Sequence, residues 1–182
     1  MTILSSKRGL IVGVANERSA AWGIAKKASD LGAELAFTYQ IPAFEKRIAP
    51  LAESVKSDIL IPCDLIEEAA AKRSMEQLST HWSEVDFVVH AVGFSDKQEL
   101  SGAYYNTSRQ NFRQTMLISA FSFTELAQAS APMMPNGGSL LTLSYLGSVR
   151  TTPNYNVMGV AKAALEASVR YLAVDLGGRN IR

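Results

Sequence analysis

The stretch RGLIVGVANERSAAWGIAKKASDLGAELAFTY, residues 8–39, has the pattern of a strand, a helix and a second strand. Residues 8–14 form a short apolar run, which is typical of a strand buried on both faces. Apolar residues recur at helical spacing through 20–31, and Gly32 stands where a helix-ending glycine belongs. Residues 33–39 predict the second strand. This unit therefore predicts two parallel strands joined by a right-handed helical crossover.

The rest of the chain repeats the same alternation. Further strands are predicted at 58–64, 85–93 and 139–145, and further helices at about 43–56, 67–82, 107–131 and 154–177. Such alternation predicts a doubly wound parallel sheet with helices on both faces, a Rossmann-like three-layer α/β/α fold. We find no internal repeat and no linker, so residues 1–182 are predicted to form a single dinucleotide-binding domain.

Composition narrows the classes of function. Among 182 residues, 47% are apolar and 19% are charged, and the formal net charge is +1. No basic block is longer than a dipeptide, so we expect no nucleic-acid partner. The single cysteine, Cys63, and the two histidines argue against a disulfide and against a metal site. No segment has the length of a signal peptide or a membrane span, so we expect a cytoplasmic protein with no membrane partner.

The turn after the first strand is a candidate dinucleotide site, because ligands of doubly wound sheets bind beyond the carboxyl ends of the strands. This turn, GVANERSAAWG, lacks the familiar G-x-G-x-x-G spacing. Gly13, Ser19 and Ala20 are nevertheless small enough to let backbone N–H groups approach a pyrophosphate at the helix start. A strand–helix corner in which the glycine serves only close packing explains the turn equally well.

Three later strand ends favour the cofactor interpretation. Gln40 stands where an acidic residue usually meets the adenosine ribose, and its neutral amide favours NADH over NADPH. Asp64 can accept a hydrogen bond from an adenine amino group, or it can cap the helix that follows. Gly93 leaves room for a cofactor, or it is a plain turn glycine. Coincidence at four successive strand ends is much rarer than at one, so we predict a nicotinamide dinucleotide site.

The segment SYLGSVRTTPNYNVMGVAKAALE, residues 144–166, contains the candidate catalytic side chains Tyr145, Tyr155 and Lys162. A helix turns about 100° per residue, so Tyr155 and the lysine seven positions later can face one cleft. A lysine beside a tyrosine and a bound ribose favours phenolate character in the tyrosine. The phenol can also donate a hydrogen bond or a proton to an oxygen that gains negative charge. The spacing alone leaves an ordinary amphipathic helix surface open as the alternative.

The segment LLTLSYLGSVRTTPNYNVMGVAKAALEASVRYLA resembles, nearly residue for residue, the active-site segment of bacterial enoyl-[acyl-carrier-protein] reductases of the NADH-dependent, triclosan-sensitive type. That family is a divergent branch of the short-chain dehydrogenase/reductases. The resemblance extends through GVANERSAAWGIA, Gln40, IPCDL and VVHAVGF, and so covers essentially the whole chain. Six residues separate the tyrosine from the lysine, whereas ordinary superfamily members have three. Gly159 stands at the ordinary lysine position, which argues against a ketoreductase.

The resemblance implies reduction of the trans-2 double bond of an enoyl thioester on acyl carrier protein by NADH, the last step of the fatty-acid elongation cycle. Hydride would reach the β-carbon, Tyr155 would stabilise the enolate oxygen, and Lys162 would hold the nicotinamide ribose. Tyr145 would orient the substrate. The implied cofactor-binding residues are Gly13, Ser19, Ala20, Gln40, Asp64, Leu65, Val92, Gly93 and Lys162. The implied substrate-binding residues are Phe94, Ser95, Leu100, Tyr145, Tyr155 and Met158, with core packing an equal alternative for Leu100 and Met158.

Members of this family continue beyond the point that corresponds to residue 182. The resemblance implies two more strands there, a stretch that contacts nicotinamide and pyrophosphate, and a helix that closes over substrate. We therefore expect an incomplete segment whose sixth strand begins at 180–182, and turnover from a chain that includes those parts. By the same analogy, the helices at 107–131 and 154–177 would build a homotetramer. The alternative is a non-catalytic dinucleotide-binding fragment or pseudoenzyme, against which the presence of both Tyr155 and Lys162 argues.

Overall fold

A five-stranded parallel sheet forms the centre of the computed structural model, which describes residues 2–182. The strands are β1 (Arg8–Val12), β2 (Glu34–Tyr39), β3 (Leu60–Pro62), β4 (Phe87–His90) and β5 (Ser139–Thr142). Their order is β3-β2-β1-β4-β5, and every neighbouring pair is parallel. The strand order reverses between β1 and β4, which is the switch point of a doubly wound sheet. The predicted fold class is confirmed.

Six α-helices lie in the described part of the chain. They are α1 (Ala20–Asp30), α2 (Pro42–Ser54), α3 (Ala70–Leu78), α4 (Arg109–Met116), α5 (Ser122–Ser130) and α6 (Asn156–Gly177). The π-helical turn Leu117–Phe121 joins α4 to α5, so the two make one long element. None of the helices in residues 2–182 combines the length and the apolar character needed to cross a membrane.

The side chains of β1 explain why its sequence is a continuous apolar run. Leu10 and Val12 belong to a buried cluster with residues of α3 and α5, whereas Ile11 belongs to a second cluster with residues of α1 and α2. Successive side chains of a strand point to opposite faces, so both faces of this central strand are covered by helices. The core is thus split by the sheet into two layers.

The third helix is shorter than predicted at both ends. α3 begins at Ala70 rather than at residue 67, because Ala69 has a φ of 59°, a left-handed conformation that an α-helix does not contain. It ends at Leu78, and residues 79–82 are largely turns. The strands are also shorter than predicted: the last predicted residues of all strands but β2 lie in the loops at the carboxyl edge, and β2, β3 and β4 begin one or two residues later than predicted.

Two other helices begin two residues later than predicted. α4 starts at Arg109 because the Ser108 hydroxyl accepts a hydrogen bond from the N–H of Asn111, at 3.1 Å, and so caps the helix. α6 starts at Asn156, and Tyr155 is its capping residue, with a φ of −122°. Tyr155 therefore lies at the amino end of α6 instead of within its first turn.

The last residues of the chain run beside β5. Ile181 forms a parallel bridge with Gly138. The N–H of Leu140 donates to the carbonyl of Arg182 at 2.7 Å, and the N–H of Arg182 donates to the carbonyl of Gly138 at 2.9 Å. Residues 180–182 thus pair with the sheet where the sixth strand is expected.

Candidate functional site

A cavity of ≈ 330 Å³ lies at the carboxyl ends of β1, β2, β3 and β4. The predicted cofactor residues in its lining are Gly13, Gln40, Asp64, Leu65, Val92 and Gly93, together with the substrate candidate Phe94. Two larger cavities, of ≈ 1000 and ≈ 610 Å³, lie between α4 and α6 and beside the amino end of β4, respectively, and neither contains a predicted site residue. The predicted cofactor residues therefore identify the smaller cavity as the candidate cofactor site, whereas Tyr145, Tyr155 and Lys162 are not part of its lining.

The turn after β1 depends on a glycine. Gly13 has a φ of +106°, and a Cβ at this position would collide with the carbonyl oxygen of Ala91. Further along the turn, the Ser19 hydroxyl donates to the carbonyl of Asn16 at 2.7 Å and does not cap α1. The Ser19 side chain thus leaves the positive amino end of α1 to other acceptors, such as a pyrophosphate. Close packing against Ala91 therefore requires Gly13, and its cofactor role stays a prediction.

Gln40 and Asp64 meet at the ends of β2 and β3. The Gln40 amide donates to Asp64 Oδ1 at 3.1 Å, and the same oxygen accepts from the N–H of Ile66 at 3.2 Å. The alternative interpretation of Asp64 as a helix cap is wrong, because α3 begins only at Ala70. The pair presents a neutral amide and a carboxylate at this end of the cavity, which disfavours the extra phosphate of NADPH.

Lys162 is a buried cation between the ends of β4 and β5. The residue is 6% exposed, and its Nζ donates to the carbonyl of Leu143 at 2.9 Å and to that of Val92 at 3.3 Å. Burial lowers the pKa of this lysine, because desolvation disfavours its charged form. A Cβ on Gly93 would lie 3.7 Å from Nζ and 3.3 Å from Cε of Met158. Because Gly93 has no side chain, the space beside the Lys162 ammonium group stays free.

Tyr145 and Tyr155 pack against each other at the same edge of the sheet. Their ring centroids are 4.7 Å apart at an interplanar angle of 55°. Gly147 makes room for this pair, because a Cβ there would collide with the Tyr155 ring. Burial, and next the proximity of Tyr145, raise the pKa of Tyr155. The direction of this shift favours a neutral Tyr155 phenol over the predicted phenolate, and the Lys162 ammonium group donates to backbone carbonyls.

Glu166, on α6, forms hydrogen bonds that hold the loop containing Tyr145 against this helix. Its Oε1 accepts hydrogen bonds from the hydroxyls of Ser144 and Ser148, and these bonds lower the pKa of Glu166. The two serines flank Tyr145 in sequence, so one carboxylate holds the loop on both sides of the tyrosine. Our sequence analysis missed Glu166, although its place four residues after Lys162 puts it on the same helix face.

A family model described as enoyl-(acyl carrier protein) reductase matches residues 13–182. The chain belongs to the enoyl-[acyl-carrier-protein] reductase family. Enoyl-[acyl-carrier-protein] reductase [NADH] 2 of Rhizobium meliloti is 58% identical over 180 residues, which are 99% of this chain and 67% of that protein. The resemblance found in the sequence motifs is confirmed.

Solved reductase structures share the fold as well. FabI from Candidatus Liberibacter asiaticus superposes with a TM-score of 0.98 at 54% identity, over 100% of this chain and 70% of that one. The enoyl-(acyl-carrier-protein) reductase of Anaplasma phagocytophilum, in complex with NAD, gives a TM-score of 0.97 at 52% identity, over 100% and 69% of the two chains. The present chain thus spans about two thirds of the length of these reductases.

In this reductase chain, the predicted acyl-pocket residues Phe94 and Met158 converge on Ser119. The N–H of Phe94 donates to Ser119 Oγ at 2.9 Å, and the Ser119 hydroxyl lies 3.0 Å from the Phe94 carbonyl and 3.5 Å from Met158 Sδ. Phe94 is 46% exposed, so its ring is open to a ligand. The sequence analysis did not identify Ser119, which looks like any small residue in a helix.

Ser95 belongs to a different set of contacts. Its Oγ lies 3.2 Å from Nδ2 of Asn111 and accepts from the Thr115 hydroxyl at 3.0 Å. Asn111 and Thr115 are buried, and the Ser95 hydroxyl is satisfied by hydrogen bonds with both of them. Leu100 ends the 3-10 turn Lys97–Leu100, is half-buried, and does not line the cavity, which leaves core packing as good an explanation as substrate contact.

Proposed function

We propose that the protein reduces the trans-2 double bond of enoyl thioesters on acyl carrier protein, with NADH as the reductant. The observation that carries this proposal is the pairing of Tyr145 and Tyr155 at the amino end of α6, the helix whose buried Lys162 donates to the carbonyl of Val92 in the cavity lining. A neutral phenol and an ammonium group at one strand-end crevice are the groups needed to hold a thioester oxygen and a ribose. Membership in the reductase family supports the same chemistry.

The residues at the strand ends fit a nicotinamide dinucleotide. Gly13 and Gly93 withhold side chains where a cofactor would pass, and Gln40 with Asp64 offers hydrogen-bonding groups at the adenosine end. Lys162 would hold the nicotinamide ribose. When bound, NADH supplies the hydride that reduces the β-carbon. The NAD complex of the related Anaplasma reductase supports this choice of cofactor.

Tyr155 acts on the substrate as a hydrogen-bond donor. Its raised pKa keeps the phenol protonated at neutral pH, so the O–H is available to the thioester oxygen as negative charge accumulates there. Tyr145 packs on Tyr155 and is 51% exposed, which suits a side chain that borders the acyl group. Phe94 and Met158 extend the apolar wall beside Gly93.

The proposal extends to assembly. Within one dinucleotide-binding domain in the cytoplasm, α4, α5 and α6 would form the contacts of a homotetramer, with acyl carrier protein as a transient partner. The exposed apolar residues on these helices and the turn between them are Phe112, Phe121, Val160, Val169, Tyr171 and Val174. Sedimentation of the full-length protein tests this part: we expect a tetramer, and a monomer at all concentrations contradicts it.

The direct test is an assay of the full-length protein with crotonyl-CoA and NADH, followed at the nicotinamide absorbance band. We expect NADH to be consumed in proportion to the thioester. If NADH binds but is not consumed by this or a longer enoyl thioester, the protein is a dinucleotide-binding protein and the proposed reaction is wrong. A parallel assay with a ketoacyl thioester should show no consumption.

A further inference from the structure

His90, the last residue of β4, is 0% exposed and both of its ring nitrogens have partners. Nδ1 lies 2.9 Å from the Thr142 hydroxyl on β5, and Nε2 lies 2.8 Å from the Ser122 hydroxyl at the start of α5. The ring also packs against Phe123, with centroids 5.5 Å apart. One imidazole therefore links two strands of the sheet and the helix that covers them.

The hydrogen-bond network assigns the tautomer of His90. The Ser122 hydroxyl has one hydrogen, which it donates to the carbonyl of Ile118 at 2.7 Å. Ser122 Oγ must then accept from Nε2–H of His90, so Nδ1 carries the lone pair and accepts from the Thr142 hydroxyl. Burial, and next the charge of Lys162, lower the pKa of His90 to about 3, so the ring is neutral.

The His90–Thr142 hydrogen bond lies close along both strands to the carbonyls that bind Lys162. His90 and Thr142 are the last paired residues of the β4–β5 ladder. Both strands end at this pair, and the carbonyls that bind Lys162 Nζ belong to Val92, two residues after His90, and to Leu143, the residue after Thr142. The His90–Thr142 bond is thus the last side-chain connection before the two carbonyls, and it limits how far they can separate.

We propose that His90 is a positioning residue for the reductase reaction: through Thr142 and Ser122 it fixes the spacing of the Val92 and Leu143 carbonyls, and hence the place of the Lys162 ammonium group. The proposal rests on the proposed function, in which Lys162 holds the cofactor ribose. His90 itself touches neither substrate nor cofactor. Its neutral ring is suited to this task, because a second buried cation beside Lys162 would repel it.

Thr142 offers a matched pair of variants for the test. Thr142→Val keeps the branched shape and removes the hydroxyl, whereas Thr142→Ser keeps the hydroxyl. We expect Thr142→Val to raise the KM and the Kd for NADH about tenfold, the effect of one lost buried hydrogen bond, with a smaller change in kcat at saturating NADH. Thr142→Ser should restore most of the affinity. Ile48→Val, in the buried layer under α2 and away from the site, controls for general loosening and should leave the Kd unchanged.

A second variant, at the His90 ring itself, keeps the proposal testable if Thr142→Val does not fold. His90→Phe keeps a planar ring without hydrogen-bonding groups, and should weaken NADH binding at least as much as Thr142→Val while the KM for the enoyl thioester stays the same. Equal Kd values for NADH in the unchanged protein, His90→Phe and Thr142→Val would overturn the proposal. So would equal losses in Thr142→Val and Thr142→Ser. Failure of the proposed reaction shows separately, as NADH binding without turnover in the unchanged protein.

Discussion

The two halves of the site are built in different ways. At the ends of β1, β2 and β3 the chain contributes a positive-φ glycine, small residues and one amide–carboxylate pair. At the ends of β4 and β5 it contributes hydrogen-bonded side chains: the buried Lys162 and His90, and Glu166, which binds the loop of Tyr145. The first half makes space, and the second half fixes the positions of functional groups.

This difference follows from what each half must do. A binding surface for a dinucleotide needs backbone N–H groups that can be approached closely, and side chains would obstruct it. A catalytic group must be held within a small fraction of an ångström, which requires supporting hydrogen bonds. Substitutions should therefore act through steric collision in the first half and through lost hydrogen bonds in the second.

The largest expected effect concerns His90. Its folded pKa of about 3 lies below the ordinary value of 6.5, so the unfolded chain binds the proton more readily. Stability is therefore present above pH 6.5 and is lost as the pH falls toward 3, by about 5 kcal/mol in the free energy of unfolding. Urea unfolding from pH 7 to pH 4 should show a flatter profile for His90→Gln than for the unchanged protein. Parallel profiles contradict a neutral buried imidazole.

The next effect concerns the cation itself. Lys162→Met keeps an apolar stem of similar length and removes the ammonium group. We expect the Kd for NADH to rise about tenfold to 100-fold, as for the loss of a charged hydrogen-bond donor. Titration of NADH fluorescence measures this. Lys72→Met, on the exposed side of α3, is the matched control and should bind NADH as the unchanged protein does. Unchanged NADH affinity in Lys162→Met would contradict a contact between Lys162 and the ribose.

In the first half of the site, Gly13→Ala should act through collision and strain. Alanine is disfavoured at a φ of +106°, and its Cβ would meet the Ala91 carbonyl. We expect a loss of about 1–3 kcal/mol in the free energy of unfolding, together with weaker NADH binding. Gly177→Ala, at the end of α6 with open space around it, should instead be neutral or slightly stabilising. Similar stabilities for the two alanine variants would show that the turn relaxes.

The smallest effect concerns Glu166. Glu166→Gln keeps the shape of the side chain and removes its charge, which weakens the bonds from Ser144 and Ser148. We expect kcat to fall about fivefold, with the Kd for NADH unchanged. Glu53→Gln, exposed on α2, is the control and should retain full turnover. A rise in the NADH Kd without a change in kcat would contradict this role of Glu166 and would indicate a role in cofactor binding.

Much of the fold was predictable because local patterns of apolar residues specify it. The apolar run of β1 and the helical spacing of α1 determine the strand–helix–strand unit, and repetition of that unit determines the parallel sheet. The helix bounds were less predictable. Ala69 has a left-handed conformation, and Leu117–Phe121 form a π-helical turn. Neither segment has a residue pattern from which these conformations could be predicted.

The site was predictable where spacing or a strand end carries the information. Gln40 and Asp64 line the cavity, as their places after strands predict. Tyr155 caps α6 instead of lying within it, so the argument from helical spacing to Lys162 stays a prediction. His90 and Glu166 were missed because their partners are distant in sequence: Thr142 is 52 residues from His90. The sequence also does not show that the Lys162 ammonium group donates to two backbone carbonyls.

The central claim is that Tyr155 donates a hydrogen bond to the substrate oxygen and plays no part in cofactor affinity. Steady-state turnover of an enoyl thioester and NADH binding, both measured on Tyr155→Phe in the full-length protein, test it most directly. Tyr105→Phe, 86% exposed, serves as the control. The account predicts that kcat falls about 100-fold to 1,000-fold while the Kd for NADH stays within about twofold. Unchanged kcat, or equal losses in kcat and affinity, would contradict it.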